Sequence, residues 1–297
     1  MGEWIVSIEG TETGRIAAMA LALLAAVMHA ALGVLQKGRH DPWLSRGAID
    51  ICASLLAVPL AIFVVPPPGP ELWVLLPGVM LIHLAYKWSI AMAYSRGAFT
   101  VVYPIVRGTG PLVTVLFAGL VFGEFYSFGQ WGGVALISGG IFALAIWNYR
   151  RETIDRRVLA TAIGLALLTG VITAIYTVYD AFAIRAAIDP FTFIVWFFLL
   201  EIVLFPPLLW RRWLAAGPEL GSLFRRGLIG AIIAFLSFGG IFLATRLDKV
   251  GEAAALRETS VVFGAIMGWL ILGERIGPVR AGLMVVIASG AVLVEFG

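Results

Sequence analysis

Eight residues able to bind or move charge stand in apolar surroundings: His83, Lys87, Tyr103, Arg107, Tyr176, Glu201, Arg257 and Glu258. His83 and Lys87 are four positions apart, as are Tyr103 and Arg107, and Tyr176 and Asp180. That spacing puts each pair on one face of a helix. Arg257 and Glu258 are adjacent, about 100° apart around a helix, so an unbroken helix cannot aim both at one spot. A guanidinium fork grips a carboxylate through two parallel hydrogen bonds. A carboxylate shielded from water can load and release a proton. The chemistry these residues offer is recognition of an anionic or zwitterionic group, centred on Arg107 and Arg257, with Glu201 or Glu258 as carrier of a coupling proton. A second reading stays open for Glu258 and Asp180, which can instead pair internally and fix helix packing. Asp180 also stands close enough to a span end to reach the interface. His29 and His83 each suit a proton relay or a hydrogen-bonded packing role.

The elements that must hold these residues follow from composition. Of 297 residues, 61% are hydrophobic and 13% charged, against about 45–50% and 25% in soluble domains. Mean hydropathy is +0.97. The apolar residues form continuous Leu/Ala/Val/Ile/Phe/Gly runs, and about 18 such residues suffice to cross a bilayer as a helix. A β-barrel would show short alternating segments instead. The sequence predicts ten transmembrane helices, at 15–36, 46–65, 71–95, 99–122, 127–147, 157–180, 190–210, 226–246, 251–272 and 277–295. The fold class is all-α. The residues before the first run are acidic (Glu3, Glu9, Glu12), unlike the basic leader of a signal peptide. Cys52 is the single cysteine, so neither a disulfide framework nor a thiolate metal site is expected.

A charge at the bilayer centre costs about 2.5–3.5 kcal/mol on insertion scales and so faces a cavity or a partner. Lys87, Arg107 and Glu201, nearest mid-span, are expected to line a cavity. Pro104 and Pro111 interrupt the hydrogen-bond ladder of the fourth span. Gly119-xxx-Gly123 and Gly264-xxx-Gly268 have the spacing of close helix crossings.

The chain also repeats itself. Gly123-Glu124 and Gly273-Glu274 are 150 residues apart, and Arg107/Arg257, Thr109/Thr259, Arg96/Arg246, Gly132/Gly282 and Gly140/Gly290 share that offset. Asp41-Pro42 and Asp189-Pro190 match at 148. Two five-helix repeats, 15–148 and 157–295, are expected. An odd number of spans per repeat inverts the second in the membrane, an architecture of secondary transporters. Of 21 Lys and Arg residues, fourteen fall on one side, four on the side of the termini and three within spans. The positive-inside rule places the fourteen in the cytoplasm and both termini in the periplasm.

Val102–Glu124 (VYPIVRGTGPLVTVLFAGLVFGE) and Ala254–Glu274 (AALRETSVVFGAIMGWLILGE) together resemble the paired signature of the drug/metabolite transporter superfamily, in its EamA-type branch. Met28-His29-Ala30, Lys37 and Ala93-Tyr94 resemble a bacterial subgroup associated with phosphonate utilisation. The chain departs at Ala31-Leu32, where many relatives carry Trp-Asn. The resemblance implies two five-helix repeats around a central cavity and export of amino acids or other metabolites.

No His-Glu-x-x-His, Gly-x-Ser-x-Gly or Walker sequence occurs. The expectation is thus a bacterial inner-membrane, multi-pass secondary transporter, exporting a small metabolite by alternating access. It is not expected to be an enzyme, and neither cofactor, metal nor nucleic acid is implied. The alternative on this scaffold is a flippase for a lipid or lipid-linked headgroup, which needs a groove open sideways to lipid.

Overall fold

The computed structural model describes residues 2–36, 41–97, 99–150, 156–217, 220–272 and 277–297. Gly273-Glu274 and the basic residues Lys37, Arg39, Arg151 and Arg275 lie outside them. The described residues form helices α1 (Glu3–Ser7), α2 (Glu12–Gln36), α3 (Pro42–Phe63), α4 (Pro70–Tyr94), α5 (Phe99–Phe122), α6 (Phe128–Tyr149), α7 (Arg156–Ala186), α8 (Pro190–Leu208), α9 (Trp210–Ala215), α10 (Leu220–Leu247), α11 (Val250–Arg257), α12 (Ser260–Leu272) and α13 (Pro278–Phe296). Ten segments among them are long and apolar enough to cross a membrane. α11 and α12 together make the ninth. Satisfying backbone donors and acceptors inside each segment is what permits such spans in lipid.

The helix ends explain several sequence signals. In both Asp-Pro pairs the aspartate caps a helix and the proline takes its first position. Asp41 accepts the Trp43 N–H at 2.7 Å, and Asp189 accepts the Phe191 N–H at 2.8 Å. The cap satisfies an otherwise orphaned donor, and proline has none to lose. Gly123, with φ +65°, closes α5 in the left-handed region, which a residue without Cβ enters freely. Ser127 and Gln130 then form a capping box that starts α6.

The chain divides into two compact units. Unit 1 is Met1–Leu84 with Tyr179–Leu247, and unit 2 is Ala85–Val178 with Asp248–Gly297. Each unit therefore draws helices from both sequence halves. The division passes through α4 after Leu84 and through α7 after Val178.

Within unit 1, α10 packs on α2 and α3, and α3 on α8. Phe193, Phe197 and Phe198 of α8 meet Phe235, Phe238 and Phe242 of α10, with Phe198 and Phe235 stacked at 3.9 Å between centroids. Aromatic pairs add to the packing energy through their ring quadrupoles.

Within unit 2, α6 packs on α13 and α5, and α11 on α5. Its core is small and aliphatic, with Val101, Val102, Ile105, Val106, Ala145, Ala162 and Ala166 all buried. A methyl group added to Gly133 would lie 2.6 Å from the carbonyl oxygen of Gly290, and one on Gly290 would lie 2.7 Å from that of Gly133. This pair, one residue on α6 and one on α13, makes the close glycine crossing. The Gly119/Gly123 spacing does not, because Gly123 is spent ending its helix.

α5 runs through Pro104 and Pro111 as one helix, and the interruption falls instead in the ninth span, at Glu258-Thr259. There the Glu258 and Thr259 N–H groups reach back three residues, to the Ala255 and Leu256 carbonyls. The Thr259 hydroxyl also donates to the Leu256 carbonyl at 2.7 Å. Its repeat-related counterpart, Thr109, bonds four residues back to Ile105 at 2.8 Å and leaves α5 intact.

Candidate functional site

Six of the eight predicted residues fall in unit 2. Arg107 projects from the middle of α5 and Glu258 from the break after α11. The Arg107 Nη1 donates to Glu258 Oε1 at 3.1 Å, and both residues are at least 96% buried. Arg257 Nε stands 3.7 Å from the same Glu258 oxygen. The expectation that Arg257 and Glu258 point apart is therefore corrected. α11 ends at Arg257, so the 100° step of a continuous helix no longer separates them. The open question about Glu258 is also settled within this unit, since it has an internal partner.

Tyr103, one turn before Arg107, lies beneath its guanidinium at 5.3 Å, within reach of a cation–π attraction. The buried Tyr176 meets Tyr86 edge to face at 5.2 Å. Lys87, beside Tyr86 on α4, is buried in the same unit. α7 adds a column of hydroxyls at Thr169, Thr173 and Thr177, each bonded to the carbonyl four residues back. The Ser89 hydroxyl shares a proton bond of 2.5 Å with that of Thr169. Lys87, Arg107, Arg257 and Glu258 together place three cations and one anion in buried positions. Such charges persist in a low-dielectric interior only with partners arranged for them.

A residue noted only as a repeat marker turns out to position this group. Glu124, just past α5, accepts the Val250 N–H at 2.8 Å and the Gly251 N–H at 3.3 Å. It caps α11, the helix that ends in Arg257. Negative charge at a helix N-terminus is stabilised by both the free N–H groups and the helix dipole. Tyr126 donates its phenol proton to Glu124 and accepts from the Gly251 N–H. Burial first, then the Glu124 hydrogen bond and charge, push the Tyr126 phenol well above the ordinary tyrosine range. Glu252 of α11 is held by Gln130 at 2.6 Å and Lys249 at 2.8 Å. The Gly-Glu doublet was the visible signal, but only the fold shows which N–H groups the carboxylate serves.

His83 and Glu201 fall in unit 1. His83 Nε2 is 2.8 Å from Asp180 Oδ2, and both side chains are 2% exposed. α7 continues to Ala186, so Asp180 lies inside a helix and not at its end, which corrects the expectation that it reaches the interface. Phe197 presents its ring edge-on to the imidazole at 4.8 Å. Glu201 is buried on α8. Beside it, the Ser54 hydroxyl of α3 donates to the Phe198 carbonyl at 2.7 Å and accepts the Ile202 N–H at 3.1 Å, so it clasps the turn that carries Glu201. His29 Nδ1 is 3.4 Å from the Ser237 hydroxyl.

Residues 160–296 match the EamA-like transporter family. The likeness to an EamA-like transporter thus falls on the second half of the chain. The first half lies outside that match, though Arg107, Thr109, Gly132 and Gly140 recur 150 residues later as Arg257, Thr259, Gly282 and Gly290. One solved crystal structure superposes with a TM-score of 0.74, covering 94% of this chain and 98% of that one at 18% identity. At that identity the likeness speaks for the fold. No curated protein sequence matches the chain. With ten helices among the described residues long and apolar enough to cross a membrane and a match to the EamA-like transporter family over its second half, this is a multi-pass membrane protein of transporter type, whose partners are lipid and a small-molecule substrate. The comparisons do not reach the phosphonate-associated subgroup.

Proposed function

We propose that the chain is a secondary transporter that exports a small anionic or zwitterionic metabolite across the bacterial inner membrane. Two inverted five-helix repeats, 15–148 and 157–295, would alternate the access of the site between the two sides, with both termini in the periplasm. The observation that carries this reading is the buried Arg107–Glu258–Arg257 group at the break in the ninth span. A broken span ends two helices in mid-membrane, where their termini can meet ligand charge. In the resting protein Glu258 occupies Arg107. A substrate carboxylate competes for the same guanidinium, which can hold it bidentately. Arg257 stays beside Glu258 when Arg107 changes partner, so no carboxylate is left bare in the interior. Export is the direction that the family resemblance implies, and a proton is the coupling ion that the buried acids favour.

The test is thermal stabilisation of the purified protein by a panel of amino acids and small carboxylates. A ligand confined to the native state at about 100 times its Kd adds about 2.7 kcal/mol. We expect at least one carboxylate to raise the melting midpoint of the wild type, and neither Arg107→Ala nor Arg257→Ala to respond to it. Equal stabilisation of both variants removes the arginines from the site.

The flippase alternative has its own observation. Unit 2 contains an apolar groove of about 490 Å³ lined by Val101, Ile105, Phe142, Ile146 and Leu167, with Tyr149 and Arg150 among its walls. An acyl chain under an anionic headgroup fits that chemistry. Proteoliposomes carrying a fluorescent phospholipid decide between the two. Faster exchange of leaflets than in protein-free vesicles supports the flippase and counts against the metabolite carrier.

A further inference from the structure

We infer that Arg257 Nε and Ser260 Oγ form a second recognition point beside Arg107, and that the substrate is a carboxylic acid with a neutral acceptor oxygen next to its carboxylate, a 2-oxo or 2-hydroxy acid. This deepens the transport reading above and rests on it.

Two buried donors stand without an acceptor at the break in the ninth span. Arg257 is 3% exposed and Ser260 0%. Among the described residues, neither Arg257 Nε nor Ser260 Oγ has a hydrogen-bond partner. Glu258 Oε1 is 3.7 Å from that nitrogen, beyond hydrogen-bond range. A donor left unmade in a dry interior is costly, and each such group asks what it is kept for. Nearby hydroxyls are committed to their own helices. Thr259 donates to the Leu256 carbonyl and Thr109 to the Ile105 carbonyl. Ser260 makes no bond of this kind.

The local backbone brings the two donors together. On either side of Ser260 the turn is closed by bonds that span three residues, Thr259 N–H to Leu256 and Val261 N–H to Glu258, each at 3.1 Å. Side chains three residues apart eclipse in that tighter winding. Arg257 and Ser260 are three apart, so they share one side of the break. α12 also starts at Ser260, and the positive end of its dipole favours an acceptor there.

Charge decides what kind of acceptor fits. Once a substrate carboxylate takes Arg107, each guanidinium of this group has one carboxylate, the substrate's at Arg107 and Glu258 beside Arg257. A second anionic group would bury one more charge with no counterpart in the group. An ammonium would face the positive charge of Arg257. Lys87, buried on α4 of the same unit, has interactions of its own. A carbonyl or hydroxyl oxygen accepts from Arg257 N–H and Ser260 O–H without altering the balance. Arg107 Nη1 and Arg257 Nε flank the same Glu258 oxygen, at 3.1 and 3.7 Å. The acceptor must therefore lie close to the carboxylate, on the adjoining carbon.

The experiment measures binding to the purified full chain, by thermal stabilisation, of pyruvate, lactate, propionate and alanine, which differ only at the second carbon, and of their four- and five-carbon homologues. We expect an oxo or hydroxy acid to bind at least about tenfold more tightly than the plain acid of the same length, and the amino acid no better than the plain one. Ser260→Ala should abolish that preference while the plain acid keeps its affinity. Without ligand, Ser260→Ala should melt no lower than the wild type, because the hydroxyl makes no hydrogen bond there. A merely structural serine would do the reverse, lowering the midpoint and leaving the preference intact. Equal affinity for oxo, hydroxy and plain acids in the wild type overturns the proposal, and that comparison needs no variant to fold. So does a preference that survives Ser260→Ala, or an equal weakening of all acids, which would assign the hydroxyl to Glu258. If all acids bind alike and Arg107→Ala binds none, the second recognition point falls and the transport reading stands. If no carboxylate binds the wild type, the transport reading fails and takes this inference with it.

Discussion

In unit 2 a carboxylate sits between two guanidinium groups, and no proton change near neutral pH alters a guanidinium's charge. In unit 1 a carboxylate faces an imidazole at 2.8 Å, both of them buried. The packing around them differs in the same sense. Unit 1 surrounds its pair with phenylalanine rings, which exclude water yet contact one another at several angles. Unit 2 sets its pair among small aliphatic residues and hydroxyls, with two helix ends close by. The first arrangement sets its pair under aromatic packing, and the second sets its charges beside a helix break. The two buried pairs thus belong to separate groups of helices.

That contrast can be broken by removing one carboxylate from each unit. Glu258→Ala leaves Arg107 and Arg257 buried without their anion and should cost about 3–5 kcal/mol. A pronounced fall in the melting midpoint of the solubilised protein would report it. Asp180→Asn keeps a hydrogen-bonding group against the His83 ring, and should cost about 1–3 kcal/mol. A heavier loss from Asp180→Asn would mean that the unit 1 pair carries more of the stability. A smaller effect sharpens the picture of unit 2. Glu124→Ala uncaps α11 and should cost about 0.5–2 kcal/mol. If the cap positions Arg257, carboxylate binding should weaken alongside stability, while an unchanged affinity would confine Glu124 to structural support.

The smallest effect is that of Tyr126→Phe, with about 0.5–1.5 kcal/mol from the lost hydrogen bond and a distinct pH signature. The folded protein holds the Tyr126 proton well above the ordinary tyrosine value. The unfolded chain releases it near about pH 10. This part of the stability is complete below that pH and is lost as pH rises further. Phenylalanine should flatten the alkaline decline of the melting midpoint, and an identical decline in both proteins would show that Tyr126 adds nothing to it.

The spans were legible because lipid forces each to be long, apolar and internally hydrogen-bonded. Expected and observed positions agree closely at 71–95 against Pro70–Tyr94 and at 277–295 against Pro278–Phe296, whereas the span expected at 157–180 runs on to Ala186 and the one expected at 226–246 begins at Leu220. The paired Asp-Pro doublets were legible as related positions, and their capping role follows from local chemistry. What could not be read was long-range partnership. Arg107 and Glu258 are 151 residues apart, and His83 and Asp180 are 97 apart. Periodicity within one helix says nothing of which other helix it meets. The break in the ninth span left one usable trace, the polar run Glu258-Thr259-Ser260 within apolar sequence. Serine and threonine offer the backbone side-chain bonds that compete with helix geometry. The prolines of α5 were the louder signal and marked no such break. Nor does a repeat in sequence announce how its helices group in space, since each compact unit takes members from both halves.

The contact of Gly133 with Gly290 has a mechanical consequence. A Cβ at either position would stand 2.6–2.7 Å from the other's carbonyl oxygen, so a side chain there has to force the two backbones apart. α6 and α13 thus owe their close approach to these two glycines, and alanine at either one is expected to loosen the tightest helix crossing of unit 2.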